Sequence, residues 1–489
     1  MNAQRCYPAL SIVVVLVLAG FTTAAEDKAA TDEVKKVSSA SELTMVANRA
    51  KPGDVIVVGN GRYDGWRARI PCKGNENQPI VIQPETAMGV TFTGVTQLDI
   101  TGSHIVMKGF RFDGCELKTT PVALNGAQYC RVTDCHFSDI KPGKSPSYAA
   151  LWIQNNAADN RVDHCTFKNI AGRSVQVRIR NKTDLPLRNR IDHNFFSDTP
   201  NKGANGRETL QVGHDQAKHG EMAPKTLVEY NVFLRCNGEN EIVSNKSSGN
   251  VYRHNYLRDC NPGWFHLRGG SHCVVDGNRI ENCQGGIAVH GTHHRIINNV
   301  IANSKGPKER EGIMLQFGTA KGPSAHYQAT GNCLVANNTL VDTRGIRAGA
   351  CHNLPATPYE NRIVNNIIVG DALLRDVEFV PDTVVENNLF HPTGKARLGF
   401  AGKNAVIADP LFRNPAQGDY RVRPESPAIG KGRILEPNAK APAIGASTDL
   451  LVDDILEEVG KPSSADGVRE SSTHAGKRQF QHPSQGEQP

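Results

Sequence analysis

Aromatic residues are scarce, at 6% of the 489 positions, while glycine is plentiful at 46. Together with many asparagines, that balance argues against a helical bundle and for short strands joined by tight turns. Beyond the N-terminus no apolar run is long enough to span a bilayer, so a multi-spanning membrane protein is excluded. No Cys-x-x-Cys occurs, which leaves zinc and thioredoxin-like readings little support. Charge of one sign is also in short supply. The 56 Lys and Arg against 49 Asp and Glu leave only +7, too little for a dedicated nucleic-acid binder but suited to a polyanionic ligand. With 38% hydrophobic and 21% charged residues, the chain can build an ample core and is not disordered.

The N-terminus reads as a cleavable secretory signal over 1–25. Arg5 supplies the positive end, Ala9 to Phe21 the apolar stretch and Thr22–Ala25 the small-residue cleavage site. A secreted or periplasmic protein is expected, followed by a linker over 26–37. Of the 12 cysteines, Cys6 would leave with the signal. The odd remainder argues against a complete disulfide framework. At the other end, 436–489 forms an extension whose polar Ser-, Gln- and Gly-rich stretch from about 462 reads as disordered.

Between these ends the chain repeats. An apolar-x-x-Asn-x-apolar pattern recurs at Asn194, Asn231, Asn255, Asn278, Asn299, Asn338, Asn366 and Asn388, with Cys135, Cys165 and Gly109 at the same phase earlier. Asn278 to Asn299 is a step of 21 residues, whereas Asn299 to Asn338 is a step of 39, so a short fixed coil carries loops of variable length. Each unit alternates apolar and polar residues over a few positions, which is a strand signal. Short strand units without an intervening helix stack as a parallel β-helix. The expected fold is therefore all-β, a single-stranded right-handed parallel β-helix over 38–435, capped by a short N-terminal helix in SELTMVANRA. Asparagines at one phase would form a ladder, and Cys236, Cys260 and Cys283, each five residues after its Asn, would stack as buried thiols.

In such a solenoid, residues one coil apart become neighbours about 5 Å away. Three consecutive polar segments stand out: NGRETLQVG (205–213), NGENEIVSNKSSGN (237–250) and GWFHLRGGSH (263–272). Glu239 and Glu241 are two apart and share a strand face, with Asn205 and Glu208 on the preceding coil. Two carboxylates and an amide oxygen suit Ca²⁺; an isolated acidic pair would be a solvated surface strand. Lys246 and Arg268 are 22 residues apart and should stack beside each other and the glutamates. They are either surface cations or a base and an electrophile around a substrate carboxylate. The odd step from Glu241 to Lys246 requires a turn or bulge near Asn245. His266 and His290 fall in the same column as Arg268 and read as substrate contacts.

NGENEIVSNKSSGNVYRHNY followed by HLRGGSHCVVDGN resembles polysaccharide lyase family 6, the alginate lyases and chondroitinase B. The likeness extends to DPLFRNPAQGDYRVRPESPAIGKG (409–432), an ending that other β-helix proteins share. It implies that Asn205, Glu239 and Glu241 hold Ca²⁺, that Lys246 is the Brønsted base and that Arg268 is the acid. Arg207 and Gln211 join His266 and His290 as implied substrate contacts. Two departures bear on which sugar is bound: Gly269 stands where the family usually has histidine, and Gln211 where it commonly has arginine.

Such residues would support β-elimination on a uronic acid. A cation on the substrate carboxylate neutralises it, and Lys246, kept uncharged by nearby positive groups, takes the C5 proton. Arg268 suits charge stabilisation better than acid catalysis, because guanidinium holds its proton above about pH 12; water or a histidine would then deliver the proton. A pectin-type hydrolase would need two differentiated carboxylates flanking the scissile bond, and a non-catalytic carbohydrate-binding solenoid would have no use for a lysine beside a metal. The expected partner is an anionic polysaccharide, alginate first. Dermatan sulfate is the alternative, for which the basic stretch VRIRNK (177–182) would offer the cations.

Overall fold

A computed structural model describes residues 34–446, apart from 144–147, 201–204, 307–309, 352, 378–379, 381, 397, and 436–444. The expected signal 1–25, most of the linker 26–37 and the tail from about 462 lie outside the described residues. The described chain winds into a parallel β-solenoid with three faces. The first sheet has 14 strands, from Val34–Val37 to Val384–Glu386. The second has 12, from Arg67–Ile70 to Leu374–Arg375. The third has 14, from Gly61–Asp64 to Val406–Ile407. Neighbours within each sheet come from successive coils, and a single antiparallel strand pair, Phe412–Asn414 with Asp419–Val422, follows the third sheet.

Alternation along each strand sends one set of side chains inward. On the second sheet Leu151, Val175, Leu210, Val243, Phe265, Ile287 and Ile313 form one continuous buried column. The few aromatics are concentrated on the third sheet, where Phe112, Phe137, Phe167, Phe196 and Phe233 stack with centroids 4.6–5.0 Å apart. That separation matches the distance between paired strands, so the coil repeat itself sets ring against ring. Helix Ala40–Arg49 begins at Ser39, whose side chain accepts from Glu42 N–H, and it buries Leu43 and Ala47. It covers the open first coil beside Arg67–Ile70 and keeps that edge from pairing with another chain.

The asparagine ladder forms the turn between the first and third sheets. From Asn194 onward each Asn Nδ2 donates to the next ladder residue's Oδ1 at 2.9–3.0 Å, ending at Asn388. The residue before each ladder Asn has positive φ, as at His193, Tyr230, His254, Asn298 and Asn337. Left-handed backbone at this step is tolerated by Asn and His better than by branched residues, which accounts for the Asn-Asn and His-Asn pairs. Each ladder amide also satisfies backbone groups that burial would otherwise orphan. All eleven described cysteines are free thiols, ten of them buried. Cys236 N–H donates to Cys260 Sγ at 3.4 Å, in keeping with the expected stack.

Outside the first sheet runs a row of buried ion pairs. Asp163 lies between Arg131 and Arg161, Asp192 between Arg161 and Arg190, and Glu229 between Arg190 and Arg253. Each carboxylate thus has cations on both sides.

Candidate active site

Strands Leu210–Val212, Glu241–Lys246 and Trp264–Gly269 are neighbours in the second sheet. Regular register would place Lys246 and Glu241 on opposite faces. Two bulges, between Glu241 and Val243 and between Asn245 and Lys246, re-aim them, so the expected irregularity near Asn245 is present. Asn245 holds the second bulge from within. Its Nδ2 donates to Ser247 O at 2.7 Å and Gly269 O at 2.9 Å, and its Oδ1 accepts from Asn250 and Tyr252. One expectation changes as a result: Lys246 pairs with Gly269, not Arg268. The two cations therefore take different partners. Lys246 Nζ lies 3.2 Å from Glu208 Oε1, and Arg268 Nη1 donates to Glu241 Oε1 at 2.9 Å.

Glu208, Glu239 and Glu241 bring three carboxylates together, each offering an oxygen within 4.8 Å of the others. Two oxygens bound to one Ca²⁺ at about 2.4 Å can be no more than about 4.8 Å apart, so the set fits. Charge points the same way. Burial, then the neighbouring charge of Glu208, pushes the Glu239 carboxyl up to about 7, although Arg207 and Gly206 N–H groups bond it at 3.0 and 2.6 Å. Glu208 has Arg173 and Lys246 beside it and Glu241 has Arg268, so Glu239 is the member of the trio with no ion pair among the described residues, and a hard cation is the natural remedy. Glu241 behaves oppositely: burial opposes its charge, but His266 and Arg268 outweigh that and hold it well below the usual carboxylate range.

Glu208 extends the oxygen set read from the sequence as Asn205, Glu239 and Glu241. Asn205 is exposed, three residues before Glu208 and beside the two N–H groups that bind Glu239. Arg173 Nε, a group that sequence reading passed over, lies 2.8 Å from Glu208 Oε2. Gln211 is fully buried and committed at both ends, donating to Glu208 Oε1 at 2.5 Å and accepting from Gln176 at 2.5 Å. Gln176 in turn accepts from Trp152 Nε1 at 3.0 Å. Gln211 consequently steadies Glu208 and is not open to a sugar, which corrects its expected role as a substrate contact. Arg207 contributes its backbone N–H, with a half-buried side chain.

The two histidines come together beyond Arg268. His266 Nδ1 lies 3.1 Å from Glu241 Oε1, and its ring centre is 5.5 Å from that of His290. His290 Nδ1 donates to Gln328 O at 3.2 Å. Burial, reinforced by His266, holds His290 well below the ordinary histidine range, so its ring is neutral. Tyr327 was not anticipated. Its hydroxyl accepts from Arg268 Nη2 at 2.9 Å and its ring lies 5.1 Å from His290. The signal for it was the 39-residue step between Asn299 and Asn338, the longest in the repeat. Gly269 has a local cause: a Cβ there would stand 2.9 Å from Gln216 Cβ, in the short helix Gln216–His219 that crosses over it.

Residues 37–412 match the family described as Chondroitinase B. Among solved structures, the family 6 alginate lyase AlyGC is similar at 28% identity and TM-score 0.71, over 84% of this chain and 58% of that one. This chain thus spans well under two thirds of AlyGC. A mannuronic-acid-specific family 6 lyase from the human gut microbiota is 23% identical, with TM-score 0.68, over 77% of this chain and 92% of that one. A family 6 lyase from Pseudopedobacter saltans is 19% identical, with TM-score 0.61, over 85% and 100%. The last two bear on the fold alone. No curated protein matches the chain.

Proposed function

The chain belongs to the chondroitinase B family, polysaccharide lyase family 6, and on that premise we propose that it is an exported, calcium-assisted lyase that cleaves alginate by β-elimination to unsaturated oligosaccharides. The observation that carries the reading is the placement of Lys246 beside three converging carboxylates, of which Glu239 has no cation of its own among the described residues. Glu208, Glu239 and Glu241, with Asn205 alongside, would hold Ca²⁺. Bound there, the cation would neutralise a uronate carboxylate and favour negative charge at C5.

The chain's own residues perform the remaining work. Lys246, buried and fixed at the end of its strand, would take the C5 proton. Arg268 supplies fixed positive charge, since Glu241 and Tyr327 outweigh its burial and raise it further above arginine's ordinary value. It orients and stabilises anions there, and gives up no proton. Alginate is the favoured polymer because the similar family 6 structures are alginate lyases. Dermatan sulfate draws on a separate observation: Arg178 lies over Trp152 at 4.6 Å, and burial first, then Arg180 and Arg173, disfavour its charge, an arrangement a sulfate would relieve. Export rests on Arg5 and the apolar stretch Ala9–Phe21; no helix among the described residues is long and apolar enough to cross a membrane.

The test is far-UV absorbance of unsaturated product on polymannuronate, polyguluronate and dermatan sulfate. Absorbance should rise on mannuronate-containing polymer and fall at least about 10²-fold in Lys246→Ala, the usual worth of a general base. No rise on any polymer, with folded protein and calcium present, would favour a binding role instead.

A further inference from the structure

The elimination needs a proton at the departing oxygen as well as a base at C5, and the groups around Lys246 leave that donor to be found. Arg268 is excluded by its basicity. His290 is excluded by its hydrogen bond: a carbonyl only accepts, so Nδ1 carries the hydrogen toward Gln328 O and Nε2 is left as an acceptor on a neutral ring. His266 spends Nδ1 on Glu241, and its Nε2 is buried without a partner, shut off from solvent. The carboxylates are occupied with Lys246, Arg173 and Arg268, or are reserved for a cation.

Tyr327 remains. A guanidinium can only donate, so the phenol oxygen is the acceptor in its 2.9 Å bond with Arg268 Nη2. The phenol keeps its own hydrogen, and among the described residues no acceptor takes it. Its position is well fixed. Thr319 N–H donates to Tyr327 O at 2.7 Å, and Tyr327 N–H donates to Thr319 Oγ1 at 3.2 Å. The next residue, Gln328, accepts through its carbonyl from Gly291 N–H and from His290. Gln216 Nε2 donates to His326 O at 2.5 Å, tying the loop to the one that follows Glu208 and Gln211. The ring is half-buried, not sealed. Lys246 and Tyr327 also flank one carboxylate cluster: Lys246 pairs with Glu208, Tyr327 accepts from the Arg268 that pairs with Glu241, and the two carboxylates offer oxygens within 4.8 Å of each other.

We propose that Tyr327 is the general acid of the elimination, a catalytic residue that donates its phenolic proton to the glycosidic oxygen leaving C4. The inference rests on the lyase reading above. In the step, Lys246 Nζ takes the C5 hydrogen and the C5–H electron pair becomes the C4–C5 double bond. The C4–O bond breaks with its pair going to oxygen, and that oxygen receives the Tyr327 proton. The phenolate left behind is stabilised by Arg268 Nη2. Solvent then returns a proton to Tyr327 and removes one from Lys246, so the cycle closes without any other reactant.

Tyr327→Phe keeps the ring against His290 and removes only the hydroxyl. It should lower kcat on polymannuronate about 10²- to 10⁴-fold, with KM within about threefold. Two readouts separate acid catalysis from a structural loss. A mannuronate carrying a nitrophenyl group on O4 has a leaving group that needs no proton, so the defect should shrink to within about threefold there. In deuterated water, recovered polymer should gain deuterium at C5 without cleavage, because Lys246 still removes the proton. Turnover of polymannuronate by Tyr327→Phe within about threefold of wild type would overturn the proposal, as would an equal loss on both substrates. In those cases, with wild type active and Lys246→Ala inactive, the lyase reading stands. A wild type that makes no unsaturated product on any polymer contradicts that reading itself.

Discussion

Two rows of charge run along the outside of this β-helix, and they differ in one respect. On the first sheet Asp163, Asp192 and Glu229 alternate with Arg131, Arg161, Arg190 and Arg253, so each carboxylate is neutralised from both sides. Burial raises the cost of charge on Asp192, but His193 and Arg161 outweigh it and the group stays below the ordinary range. On the second sheet Glu208, Glu239 and Glu241 converge, and Glu239 rises to about 7. Both rows come from the same repeat and are built of the same residue types. Buried charges that are matched hold coils together, whereas buried charges left unmatched call for a ligand. Cross-coil spacing alone does not separate the two; local neutrality does.

The comparison breaks most sharply through Asp192. Asp192→Ala leaves Arg161 and Arg190 facing each other without their shared anion. Removing one partner of a buried pair should cost about 3–5 kcal/mol, read as a lower denaturation midpoint, while kcat on polymannuronate stays within about threefold. A large kinetic defect in folded Asp192→Ala would mean that the first-sheet row also serves the reaction.

A somewhat smaller effect concerns pH. Without metal, Glu239 binds its proton more tightly folded than unfolded, since its carboxyl stands at about 7 against the ordinary 4.5. That contribution is fully present below about 4.5 and is lost as pH rises through about 7. It amounts to about 3 kcal/mol at most. Thermal unfolding in chelator from pH 5 to pH 8 should show this loss in wild type and not in Glu239→Gln. Parallel curves for the two proteins would place the excess charge elsewhere.

Much of this was readable from the chain. The Asn repeat defines the coil because each buried ladder amide meets its copy one turn later as well as the backbone groups beside it. The parity clash between Glu241 and Lys246 pointed to a bulge near Asn245, where one is found. What stayed hidden depended on where each bulge falls. A register shift of one residue sets Lys246 against Gly269 and sends Arg268 to Glu241. Gln211 was exposed in expectation because a sequence does not reveal that Gln176 and Trp152 close over it as a chain of donors. Tyr327 was missed for a different reason. It sits in an insertion with no repeat phase, 59 residues from the arginine it binds. The two longest steps of the repeat, 194–231 and 299–338, turn out to carry Glu208, Gln211 and Tyr327, and they meet at Gln216 and His326.

Calcium titration followed by calorimetry tests the central claim most directly. Wild type should bind one Ca²⁺, release protons at pH 6 as the cation drives Glu239 to ionise, and gain about 2.7 kcal/mol of stability at a hundredfold excess over Kd. Glu239→Gln should bind more weakly and release none, and Asp192→Ala should bind as wild type does. A folded wild type that takes up no calcium, or a Glu239→Gln protein that binds it unchanged, would contradict the account.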